Sequence, residues 1–255
     1  MTTKLKVSLL QVAVALIFVG PALSISTSTT FAAASNEDIA VSLATLLRSA
    51  RAVISKNQKH INDASVGDKG ITADLVEKVA RQNYKKATKT ELSAIDANSR
   101  QGKFIAAQIK AIRDVMDGAQ DSINRKGVGL KGFLPAIFAR LVTEKFGANT
   151  GGKATLKLTA PKNLVRNRAN RPDKWEHNVI EKQFKSAGYP KGKHVTEETS
   201  YKGKPAFRLI LPEYYGKSCL GCHGKPKGAR DITGGKKEGG VLGQLGGAIS
   251  VVILK

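Results

Sequence analysis

Cys219, Cys222 and His223 are the residues whose types and spacing carry chemistry. They stand in the run Cys219-Leu220-Gly221-Cys222-His223. Two thiols three positions apart on one helical turn can each add to a vinyl group of the same porphyrin. The next residue then lies under the ring, where an imidazole nitrogen can bind the iron. The spacing therefore predicts one covalently attached haem c, with His223 as the proximal iron ligand. Two other chemistries use such a pair. A structural zinc site needs four ligands, and these are the chain's only two cysteines. A thiol–disulfide oxidoreductase using Cys219 and Cys222 wants a thioredoxin-like unit around the pair, which the flanking sequence does not offer. No catalytic residue is expected, although electron transfer is open to a haem protein.

The far side of the iron needs its own candidates. His60, His177, His194 and Met116 are the side chains available beyond the leader. Met116 sits mid-stripe on an amphipathic helix, where a core gap-filler is the commoner role. His60 closes the first helix, His177 lies at the edge of an apolar face, and His194 opens a strand. His60 or Met116 is the expected distal ligand, with an open or water-bound position as the rival. Two strong axial ligands suit an electron carrier, whereas a weakly held sixth position suits binding of nitric oxide, carbon monoxide or oxygen. Arg208 or Arg230 could pair with the propionates, and Tyr214 or Tyr215 could pack on the ring.

Hydrophobic periodicity shows which elements must hold these residues. Ile39, Leu43, Leu46, Leu47, Ala50, Val53 and Ile54 recur at helical steps from Asn36 to about Lys59, with Ser35 or Asn36 as N-cap. A second helix starts at Thr72. A third carries one stripe from Ile105 to Ile123 for five turns, and a fourth begins near Phe133 with Pro135 in its first turn. After Gly152 the period changes to two. Ala154, Leu156, Leu158 and Ala160 mark a half-buried strand, Pro172-Asp173 opens a helix with Trp175 and Phe184, and 194–201 with 205–211 form a hairpin through Lys202-Gly203. Ala248 to Leu254 reads as a closing apolar strand. The fold class is α+β: a helical section over 35–150, then a small antiparallel sheet over 151–255, the whole of 35–255 forming one domain.

Charge and the N-terminus place the chain. There are 42 Lys+Arg against 20 Asp+Glu, a net charge of +22, which suits an anionic partner or surface, with a solvated basic surface that has no specific partner as the rival reading. Aromatics make up only 5% and the basic residues are dispersed, so no nucleic acid is expected. Lys4 and Lys6 precede an apolar run over 7–25 and a small-residue site at Ala32-Ala33-Ala34. That is the layout of a signal peptide over 1–34, and it directs the protein to the periplasm. The rival is an uncleaved anchor that would tether it to the membrane. No other segment is long and apolar enough to span a bilayer. With no output domain read after Lys255, a sensor would hand its signal to a separate signalling or redox protein, and an acidic one suits the charge.

Four stretches together resemble a known family: KGFLPAIFARLV at 131–142, LKLTAPKNLVRNRANRPDKWE at 156–176, PAFRLILPEYYGKSCLGCHG at 205–224 and DITGGKKEGGVLGQLGGAISVVI at 231–253. They are similar to a bacterial family of exported haem-c domains with a PAS-like fold, related to the sensing parts of membrane signalling proteins. The resemblance implies helices packed on a PAS-like sheet with haem c between them. It also implies redox or small-ligand sensing, or electron transfer, rather than metabolic catalysis. Some relatives use a cysteine of the N-terminal helical region as the second iron ligand. This chain cannot, because its two cysteines are both in the motif.

Overall fold

Ser35 sets the start of the longest helix. Its hydroxyl accepts from the Asp38 N–H at 3.1 Å, and the Asp38 carboxylate accepts from the Ser35 N–H at 3.0 Å, a reciprocal capping box. From there α1 (Asn36–Ile61) runs with Leu43, Leu46, Leu47, Ala50 and Ile54 fully covered. Thr72 caps α2 (Ala73–Thr88), which lies against α1. The structure, a computed structural model, describes residues 33–255, which form one compact unit. The expected leader and its apolar run over 7–25 lie outside the described residues. No helix among the described residues is long and apolar enough to cross a membrane.

The third helix departs from expectation. The apolar stripe continues to Ile123, but α3 (Arg100–Gly118) ends at Ala119 and a short α4 (Gln120–Asn124) follows. The Ala119 N–H turns to the Met116 carbonyl at 3.2 Å. The chain stays nearly helical through the break, so Ile123 still reaches the core and the periodicity does not register it. Leu134 precedes α5 (Pro135–Asn149), where proline at the first position costs no hydrogen bond.

Four strands then form one antiparallel sheet in the order β1-β4-β3-β2: β1 (Ala154–Thr159), β2 (Val195–Tyr201), β3 (Lys204–Tyr214) and β4 (Leu245–Leu254). Lys202 and Gly203 take φ of 51° and 77°, the left-handed pair that closes a two-residue hairpin. Register brings Leu156, Val251 and Leu209 into one row on the inner face, where they join α1, α3 and α5 in the main core. Each such buried aliphatic side chain contributes about 1.5–3 kcal/mol. The outer face carries a smaller cluster. Asp173 and Glu176 form a second capping box that starts α6 (Lys174–Val179), which widens into a π-turn at Ile180–Phe184. Val179, Ile180 and Phe184 pack there on Ile210 and Ala248. The architecture is thus α+β, as expected.

This outer face corrects one expectation. Arg208 is not free to pair with a haem propionate. It is buried, bonded to Asp173 at 2.6 Å, and stacked between the rings of Trp175 and Tyr201 at 4.4 and 5.3 Å. Its position on β3 points it away from the helical layer.

Candidate functional site

The motif is delivered by the end of β3. Glu213 near that end is buried and ion-paired with Arg48 at 2.5 Å and with Arg51, so β3 is fastened to α1 just before the motif. After Gly216 a single tight turn (Lys217–Cys219) leads into α7 (Leu220–His223). Ser218 hydrogen-bonds Ser55 of α1 at 2.7 Å. Arg48, Arg51 and Ser55 follow helical spacing, so one face of α1 backs the whole approach to the motif. Cys219 and Cys222 are both free thiols, partly buried, three positions apart at the start of this turn. Burial pushes the Cys222 thiol up, and the nearby Asp231 carboxylate adds to it.

The loop after the motif folds back over it. His223 Nδ1 lies 2.8 Å from Glu238 Oε2, and its side chain is 31% exposed. Among the described residues no hydrogen bond reaches His223 Nε2. Arg166, in the loop after β1, gathers the surroundings. Its guanidinium donates to Glu238 Oε1 at 2.6 Å and Oε2 at 3.0 Å, and to Asp231 Oδ2 at 2.5 Å. It also donates to the carbonyls of Cys222 at 2.9 Å and Lys236 at 3.0 Å. Burial pushes the Glu238 carboxyl up, but hydrogen bonds from Arg166 and His223 outweigh it and hold it below the usual range. Asp231 is held lower still, by Thr233 and Arg166 against its burial. The Gly240 N–H donates to the His223 carbonyl at 2.7 Å, and Gly239 to Gly224 at 3.1 Å.

An aromatic ring completes the support. Tyr215 is buried and stacks on the His223 imidazole, with centroids 5.3 Å apart and planes 17° from parallel. Burial pushes its phenol up to about 12. The ring edges meet backbone directly: a Cβ on Gly240 would stand 2.5 Å from Cε2, and one on Gly246 2.4 Å from Cε1. Glycine at both positions is therefore a requirement of the ring. Tyr214 points elsewhere, its hydroxyl accepting from the Gly192 N–H at 3.2 Å.

A family model described as Tll0287-like matches residues 26–253. The chain belongs to the Tll0287-like family. The matched residues include the helical layer, the sheet and the motif. No curated protein and no solved structure matches the chain.

Among the described residues, the other expected residues of this Tll0287-like chain make no bond to the motif. Among the described residues no hydrogen bond or ion pair joins the side chain of His60, His177 or His194 to residues 219–223. His60 Nε2 is bonded to the Lys69 carbonyl at 3.0 Å, and His194 Nε2 to Glu37 at 2.7 Å. Met116 is fully covered in the core, on the stripe that α3 shares with α1 and α2. Arg230 is bonded to the Gly234 carbonyl at 2.8 Å. Sequence reasoning missed Arg166, Asp231, Glu238 and Ser55. One signal was present. Asp231 and Glu238 are the two acidic residues in an otherwise basic stretch over 217–247, close in sequence to the motif's histidine.

Proposed function

We propose that this Tll0287-like chain binds one haem c through Cys219 and Cys222, with His223 as the proximal iron ligand. On this reading it serves as a redox or small-ligand sensor outside the cytoplasm. The observation that carries the reading is the state of His223. Nδ1 is engaged by Glu238, which leaves Nε2 as the nitrogen with a free lone pair, directly after two thiols on the same turn. That donor set fits the group: two thiols to anchor it and one imidazole nitrogen for its metal. Attachment forms one Sγ–C bond per cysteine, and the thiol hydrogen passes to the other vinyl carbon, so no oxidant is consumed. When bound, the haem supplies one-electron chemistry and an iron that can take a small ligand.

The rest of the molecule supports each part of this reading. His223 is oriented by Glu238, its ring plane is fixed by Tyr215, and the loop is tied down by Arg166. The sheet is antiparallel throughout and offers no βαβ unit around the pair among the described residues, which argues against a thiol–disulfide oxidoreductase. Among the described residues no three His, Cys, Asp or Glu side chains converge as a metal cluster, so the pair has no partners for a zinc tetrahedron. His60 and His194 bond elsewhere and Met116 is sealed in the core, while His177 keeps a buried Nδ1 without a hydrogen-bond partner. With none of the four bonded to the motif, we read the sixth position as weakly ligated, which favours sensing over shuttling. An acidic protein is the partner we favour. The loop's two carboxylates are consumed by Arg166 and His223, while Lys217, Lys225, Lys227, Lys236 and Lys237 have no ion pair among the described residues. The PAS-like character of the sheet and a periplasmic location, free or tethered by residues 7–25, belong to the same proposal.

The test is direct. Purified from a host that matures c-type cytochromes, the protein should be red, keep its colour in acid acetone, and give the pyridine spectrum of a thioether-linked haem. A colourless product of unmodified mass overturns the reading. In the reduced holoprotein, a spectral change on adding carbon monoxide or nitric oxide supports sensing. Rapid reversible reduction with no ligand uptake supports the electron carrier instead.

A further inference from the structure

We propose that Glu238 is the positioning residue of the axial histidine: it fixes the His223 tautomer and keeps the iron's reduction potential low. This rests on the reading of residues 219–223 as a haem c site, and it adds a residue outside the motif to that site.

The argument starts from what an ionised carboxylate can do. Glu238 accepts two hydrogen bonds from Arg166, so it is in its acceptor form, and its Oε2 also faces His223 Nδ1 at 2.8 Å. An acceptor there requires the proton on Nδ1, which places the lone pair on Nε2. A tautomer with the proton on Nε2 would set a lone pair against a carboxylate oxygen. The hydrogen bond has a second consequence. A charged acceptor at Nδ1 draws that proton away from the ring and makes Nε2 a stronger donor, as carboxylate partners do for other metal-bound histidines. A stronger donor stabilises ferric iron, the more positive state, over ferrous, and the potential falls.

A purely structural role must be separated from this one, because Glu238 also helps pin the loop. Arg166 provides the control. It holds Asp231 as well as Glu238, yet Asp231 has no hydrogen bond to the imidazole. Loosening the loop through Asp231 should therefore leave the iron's electronics alone. Loss of the Glu238 charge should not.

The experiment is a spectroelectrochemical titration of the purified holoprotein beside Glu238→Gln and Asp231→Asn, with haem attachment checked in each by the pyridine spectrum. Glutamine keeps an acceptor but removes the charge. Glu238→Gln is expected to shift the ferric–ferrous equilibrium at least about tenfold toward ferrous, a rise of about 59 mV for a one-electron couple. Asp231→Asn is expected to move it by a small fraction of that. Equal potentials in wild type and Glu238→Gln, with haem attached in both, overturn the proposal and leave the haem reading standing. Equal shifts in the two variants also overturn it, because the loop would then be the cause. Should Glu238→Gln not retain haem, Glu238→Asp draws the same charge back by one methylene. It is expected to raise the potential by less, and an unmoved value there overturns the proposal equally. Haem absent from the wild type itself refutes the underlying reading.

Discussion

Replacing Gly246 with alanine tests whether the Tyr215 ring is gripped as described. The added methyl would stand 2.4, 2.6 and 2.8 Å from Cε1, Cδ1 and Cζ of Tyr215. Carbon atoms in good contact are about 3.5–4.0 Å apart, so the ring must retreat by about 1 Å. It has nowhere to go. Its opposite edge already abuts Gly240, and one face is stacked on His223. Overpacking of this kind costs about 1–3 kcal/mol, and a ring blocked on both edges belongs near the middle or above, at about 2 kcal/mol. Gly246 lies in β4, and its φ is outside the positive range. Without the ring the same change should be neutral or favourable by up to about 1 kcal/mol, through the unfolded chain. A double-mutant cycle isolates the clash. Tyr215→Ala alone is expected to cost about 3–5 kcal/mol. In that background Gly246→Ala should cost nothing, giving a coupling of about 2–3 kcal/mol in urea unfolding followed by circular dichroism. The same penalty with and without the tyrosine, or none in the wild type, would refute the reasoning.

Other perturbations reach other parts of the fold. Ser35→Ala removes the capping box of α1 and should cost about 1 kcal/mol, seen as lost amide-exchange protection in the first turn. Glu213→Gln strips the charge that holds Arg48 and Arg51; because Arg48 is 40% exposed and regains water, the loss in urea unfolding should be no more than about 2 kcal/mol. The carboxyls of Asp231 and Glu238 are both depressed in the folded protein, so the stability they lend is fully present above the ordinary carboxylate range, about pH 4. It is lost as pH falls through their folded values. Amide protection over 228–240 should accordingly be flat between pH 5 and 7 and decline in stronger acid, and a decline centred near pH 6 would contradict the assignment. In haem-free protein Cys222 should react with iodoacetamide more slowly than a free cysteine at pH 8 and accelerate as pH rises, with the difference vanishing in denaturant.

Local features were legible in the sequence and closures were not. Helix starts at Ser35, Thr72 and Asp173 follow from cap residues acting within three positions, and the hairpin at Lys202-Gly203 follows from its turn residues. The break at Ala119 left no trace because the apolar stripe crosses it unbroken to Ile123. Strands β3 and β4 run farther than alternation indicated, since both are central in the sheet and buried on both faces. The site divides the same way. Cys219, Cys222 and His223 are recognisable because their chemistry depends on adjacency. Arg166 meets Glu238 across 72 positions, and only the folded chain brings them together. Gly240 and Gly246 stand in a glycine-rich stretch of the sequence, and their need to be glycine appears only once Tyr215 is in place.

The strand order carries a consequence for biogenesis. β4 follows the motif along the chain yet lies between β1 and β3, so β1 has no neighbour until chain beyond the motif has arrived. Until then Arg166 also lacks Asp231 and Glu238, and residues 219–223 stay uncovered on an unfinished sheet. The surroundings that hold the motif are therefore completed only when the last strand pairs, and the two thiols remain partly exposed even then.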